Sequence, residues 1–175
     1  MANDEVGHPP EDFAEPFAVA RDAGLLSCPH AGELEGPASI WGALDALGAD
    51  RIQHGVRAVE DPALMDRLAS SGVCLDVCPT SNDCLRVVPS VEEHPLRQLL
   101  DAGIRCSLNA DDPLFFGASL LEEYELCRGR MGLSDEQLAA VARASIDSSG
   151  APAELKTSAG AAIDSWLTAP APSRA

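Results

Sequence analysis

The chain has 175 residues, 46% of them hydrophobic, and a formal net charge of −16 at pH 7. That length suits one domain with a proper core, and the composition argues against disorder. The charge sets nucleic-acid backbones and anionic membrane surfaces aside as partners, since like charges repel within the Debye length. No apolar run reaches the roughly eighteen residues of a membrane-spanning helix. The start, Met1-Ala2-Asn3-Asp4-Glu5, is acidic and lacks the apolar stretch of a signal peptide. Cys28, Cys74, Cys78 and Cys106 lie in apolar runs without a C-x-x-C pair, which reads as buried thiols in a reducing cytoplasm.

The first predicted helix covers 11–23, with Phe13, Phe17, Ala18 and Ala20 on its apolar side and Gly24 as its C-cap. Residues 25–29 read as a buried strand that delivers His30-Ala31-Gly32-Glu33. Pro37 opens a helix over 38–47, whose Ile40, Trp41, Leu44 and Leu47 make one apolar stripe. A second strand, 51–53, delivers His54-Gly55. Asp61-Pro62 is an N-cap with proline at the first helical position, and Gly72 closes the helix. The third strand is 73–78; Pro79 stops it, and Thr80-Ser81-Asn82 read as a polar loop. His94-Pro95 precede a helix over 96–102, and the fourth strand, 104–108, runs into Asp111-Asp112-Pro113. Helices follow over 118–131, from a Ser134–Gln137 capping box, and over 151–167. Residues 1–168 form one unit, and 169–175 read as a disordered tail rich in Pro, Ala and Ser.

Strands separated by helices must pair in parallel. These strands read as apolar throughout, as expected where both faces are covered. Ligands of parallel α/β folds sit at the carboxyl ends of the strands, where His30, His54, Asn82 and Asp111 fall. Imidazole and carboxylate at one rim suit a metal and proton transfer. Each group also has a plain structural reading: a rim histidine satisfied by hydrogen bonds, Ser81-Asn82 holding a loop, His94 starting a helix, and Asp-Asp-Pro capping one.

In order, His30-Ala31-Gly32-Glu33, Arg51-Ile52-Gln53-His54-Gly55, Cys78-Pro79-Thr80-Ser81-Asn82, His94-Pro95, Asn109-Ala110-Asp111-Asp112-Pro113 and Glu122-Glu123-Tyr124 resemble the adenosine deaminase family of metal-dependent aminohydrolases. The resemblance implies part of a (β/α)8 TIM-type barrel: about four parallel strand-helix units plus C-terminal helices. It implies one zinc ion, with His30 and Asp111 as ligands. Glu33 would give a proton to the purine N1, and His54 would orient the hydroxide and act as base. Asp112 would hydrogen-bond the purine N7, and the backbone near Asn3 would meet N3. The implied substrate is a small purine nucleoside, adenosine or 2′-deoxyadenosine, giving inosine and ammonia; adenine or an adenosine-like intermediate is the alternative.

The family also holds its zinc with a His-x-His pair, whereas the four histidines here, His8, His30, His54 and His94, include no such pair. Four strands also fall short of the eight in a closed barrel. The chain therefore reads as the C-terminal half of a deaminase, with two edges and an apolar inner face left open. Self-association of two half-sheets, a separate N-terminal half, or a non-catalytic remnant would each answer that.

Overall fold

The computed structural model describes residues 5–169. Four strands, β1 (His30–Ala31), β2 (Arg51–His54), β3 (Cys74–Val77) and β4 (Arg105–Leu108), form one sheet in the order β1-β2-β3-β4. All three pairings are parallel. Helices α1 (Ala14–Asp22), α2 (Pro37–Asp45), α3 (Pro62–Ser71), α4 (Pro79–Cys84) and α5 (Leu96–Asp101) alternate with the strands. After β4 come α6 (Pro113–Phe116), α7 (Leu120–Gly129), α8 (Asp135–Asp147) and α9 (Ala153–Thr168). Four parallel β/α units of a barrel-type sheet are therefore present, as the sequence predicts.

The register explains the core. Ile52, Leu75 and Cys106 lie side by side across the sheet and join Leu64 and Leu68 of α3 and Leu96 and Leu99 of α5 in one buried cluster. Each of those leucines, fully buried, contributes ~1.5–3 kcal/mol. Residues one position away share the opposite face. There Gln53, Asp76 and Ser107 lie in register, and Asp76 accepts from Arg51 Nε at 2.9 Å, Gln53 Nε2 at 2.7 Å and Ser107 Oγ at 2.6 Å. The strands thus alternate, and the expected apolar inner face is instead a saturated polar network.

Local sequence sets most helix starts. Asp61 accepts the N–H groups of Ala63 and Leu64, and Ser134 and Gln137 form a capping box, both as read. Three expectations change. Residues 25–29 do not make a buried strand: Leu25 and Leu26 are exposed, and β1 is two residues long at the sheet edge. The helix read over 11–23 is a 3-10 turn, Pro10–Phe13, followed by α1, which buries none of its side chains. The loop read at Thr80-Ser81-Asn82 is the first part of α4, because Pro79 stands at its first turn and the buried Glu123 of α7 accepts the Thr80 N–H at 3.2 Å. The tail assigned to 169–175 lies, beyond Ala169, outside the described residues.

Candidate active site

The site is the C-terminal rim of the sheet. β1 ends at His30-Ala31 and turns through Gly32 into Glu33. Gly32 has φ +70°, and a Cβ there would lie 2.3 Å from Ile40 Cδ1, so only glycine passes this point unstrained. β2 ends at His54, whose φ is 62°, and Asp111 after β4 has φ 53°. A left-handed non-glycine residue costs ~1–3 kcal/mol, and such strain concentrates at functional sites. Here it turns two side chains toward one another.

His54 Nε2 lies 3.3 Å from Glu33 Oε2 and 3.9 Å from Asp111 Oδ2. The rings of His30 and His54 are 5.3 Å apart, centroid to centroid. Ser81 Oγ donates to Asp111 Oδ2 at 2.6 Å. Asn82 Nδ2 sits 3.2 Å from His54 Nδ1, and its Oδ1 sits 3.1 Å from His94 Nε2. His30, Glu33 and Asp111 therefore all lie beside His54. Asp112 is turned elsewhere in part: its Oδ1 accepts the N–H groups of Leu114 and Phe115 and caps α6. Asn3 lies outside the described residues.

Burial decides the protonation states. Glu33 is pushed up to about 7, first by burial and then by the charges of Asp111 and Glu5. His54 is lowered to about 4, by burial and then by His30, against the opposing pull of Asp111. The rim thus holds a carboxyl that keeps a proton near neutrality beside an imidazole that stays uncharged.

Two contributions escaped the sequence. The Glu5 side chain is buried and accepts the N–H groups of Gly32, Glu33, Leu34 and Glu35 at 2.6–3.0 Å, as well as Ser39 Oγ at 2.7 Å. Its position 27 residues or more ahead of these partners leaves no local pattern to read. Cys78, read as a buried hydrophobe, also reaches the rim: one donor atom each from His54, Cys78 and Asp111 lie within 4.8 Å of one another. Nitrogen, sulfur and oxygen donors at that spacing fit a divalent ion such as zinc. His30 stands beside this trio rather than within it. The Cys78 thiol is raised by burial, then by the charges of Asp111, Glu123 and Glu33, and a cation bound beside it would oppose that rise.

A parallel β/α sheet whose polar groups converge at the carboxyl ends of its strands has the layout of TIM-type barrels, which bind their ligands at that rim. More closely, the adenosine deaminase family model matches residues 1–166, and the chain belongs to that family. It is 51% identical over 97% of its length to a Streptomyces coelicolor protein named "Putative adenosine/adenine deaminase", of which it covers 49%. It is 48% identical over 84% of its length to the adenine deaminase of Sinorhizobium medicae, of which it covers 45%. Among solved structures, the adenine deaminase of Arthrobacter aurescens superposes with a TM-score of 0.93 at 36% identity, over 96% of this chain and 51% of that one. An amidohydrolase from Burkholderia ambifaria with bound zinc gives 0.87 at 30% identity, over 95% of this chain and 47% of that one. The chain spans about half the length of the curated relatives it matches.

Proposed function

We propose that this chain carries the catalytic rim of a zinc-dependent purine deaminase, which replaces a 6-amino group by oxygen and releases ammonia. The approach of His54 Nε2 to within 3.3 Å of Glu33 Oε2 and 3.9 Å of Asp111 Oδ2 is the observation that supports it most. His30 and Asp111 would hold the metal. Zinc bound there would lower the pKa of a water molecule to about 7 and so supply a nucleophile at neutral pH.

The chain's own residues supply the remaining chemistry. Glu33, raised to about 7, carries a proton for the purine N1, where attack at C6 places charge. His54 orients the attacking water through Nε2. Ser81 fixes Asp111 by its hydroxyl. Asp112 Oδ1 caps α6, so its other oxygen would be left to meet the purine N7. The names of the relatives favour adenine as substrate, with adenosine second.

The outer edges of β1 and β4 have no strand beside them among the described residues, and Leu114 and Phe115, next to Asp112, are 95% and 85% exposed. Parallel sheets are ordinarily covered on both faces, and a free edge strand is ordinarily paired or protected. Both features support further β/α units that complete the barrel against these edges, whether from the same protein, a second copy or another chain.

Ammonia release from adenine and from adenosine by the zinc-loaded protein tests this reading, with Glu33→Gln as the control. Release from adenine that Glu33→Gln abolishes supports it. Stoichiometric zinc and purine binding without release would leave a binding remnant instead. Light scattering that finds a monomer would remove the second copy as the completing partner.

A further inference from the structure

The back of the His54 ring is held by a chain of hydrogen bonds that starts at a backbone amide. The Leu96 N–H donates to His94 Nδ1 at 3.1 Å. His94 Nε2 lies 3.1 Å from Asn82 Oδ1, and Asn82 Nδ2 lies 3.2 Å from His54 Nδ1. His54, Asn82 and His94 are all buried.

Each link fixes the next. A backbone N–H can only donate, so His94 Nδ1 carries no hydrogen. The ring hydrogen of His94 is then on Nε2 and needs an acceptor, which makes the facing atom of Asn82 its carbonyl oxygen. No choice of amide orientation is left. The NH2 group of Asn82 must face His54 and donate into Nδ1, so the His54 hydrogen lies on Nε2. On that side stand two acceptors, Glu33 Oε2 at 3.3 Å and Asp111 Oδ2 at 3.9 Å.

We propose that Asn82 and His94 are positioning residues that lock His54 in the Nε2–H tautomer, so that His54 meets the reacting atoms as a hydrogen-bond donor. The base role implied for His54 by the family resemblance then passes to a carboxylate at the rim. The identity of the reacting atoms rests on the deaminase reading; the tautomer does not.

Imidazole nitrogen–proton correlation spectra of the 15N-labelled chain separate the two questions. The expected result is the Nε2–H pattern for both His54 and His94, with and without zinc. Asn82→Asp offers only acceptors to both rings and is expected to move the His54 hydrogen to Nδ1. In the zinc-loaded protein the same variant is expected to lower kcat by on the order of 10²-fold or more with a smaller change in KM, as loss of an aligned proton donor does. A wild-type His54 with its hydrogen on Nδ1 would overturn the proposal, whether or not Asn82→Asp folds. An unchanged His54 pattern in a folded Asn82→Asp protein would overturn it too. Should the wild-type chain release no ammonia, the deaminase reading fails while the spectra still decide the tautomer.

Discussion

Glu5 Oε2 accepts the backbone N–H of Glu33 at 2.9 Å, so one buried carboxylate holds the main chain that carries another. The same group collects three neighbouring amides and the Ser39 hydroxyl, and no cation shares it among its hydrogen bonds. Hydrogen bonds to a charged acceptor are worth ~1.5–3 kcal/mol each, and a buried amide left unsatisfied costs ~1–3 kcal/mol. Glu5→Ala is expected to cost on the order of 3 kcal/mol or more in urea unfolding, with faster amide exchange confined to 32–35. Unchanged exchange in that loop would contradict the role given to Glu5.

The turn between His30 and Glu33 has no room for a side chain. Gly32→Ala would set a methyl group 2.3 Å from Ile40 Cδ1 at a φ of +70°. The expected cost is about 2 kcal/mol or more from overpacking and backbone strain together. Pairing it with Ile40→Val, which removes the Cδ1 methyl, is expected to restore part of the loss. A denaturation midpoint for Gly32→Ala equal to wild type would count against the geometry described.

Asp76 answers Arg51, Gln53 and Ser107 at once in the middle of the sheet. Asp76→Ala leaves the Arg51 guanidinium buried without its counter-charge, which costs ~3–5 kcal/mol. Arg51→Met with Asp76→Leu, an apolar pair of similar volume, is expected to recover most of that. Equal instability of the single and double variants would show that the charge pair itself, and not the orphaned arginine, carries the effect.

Stability of the metal-free protein is expected to fall in acid. His94 is held near 4, by burial first and then by His54, and His54 is also lowered to about 4, by burial and then by His30. Between about 4 and their ordinary 6.5 the unfolded chain binds protons that the folded protein refuses. The stabilisation from these two imidazoles is therefore complete above 6.5 and is lost as pH drops through that interval, offset in part by Glu33, whose rise from 4.5 to about 7 acts with the opposite sign. For His94, protonating Nδ1 would also set one N–H against that of Leu96. Urea unfolding across the interval is expected to show a shallower decline for His94→Gln than for wild type, and identical declines would contradict it.

Much of the scaffold was legible because its signals are local. Asp61-Pro62 and the Ser134–Gln137 box announce helix starts, and the four strand ends carry their polar residues within short motifs. What stayed hidden depends on distance along the chain. Glu5 finds its partners 27 to 34 residues away, and Asn82 links two histidines that only the fold brings together. The polar strip through Gln53, Asp76 and Ser107 was missed because short strands with interspersed cysteines do not display their alternation plainly. Thr80 enters a helix rather than a loop because Glu123, on a later helix, receives its amide.

The proposed site would hold a divalent ion at one rim of this sheet, between His30 and Asp111. Titrating the metal-free protein with zinc while following the four histidine side chains tests it directly. The expected result is saturation at one ion per chain, with His30 and His54 responding, His8 unmoved, and the response abolished in Asp111→Asn. A response centred on His8, or one that never saturates and survives Asp111→Asn, would contradict it.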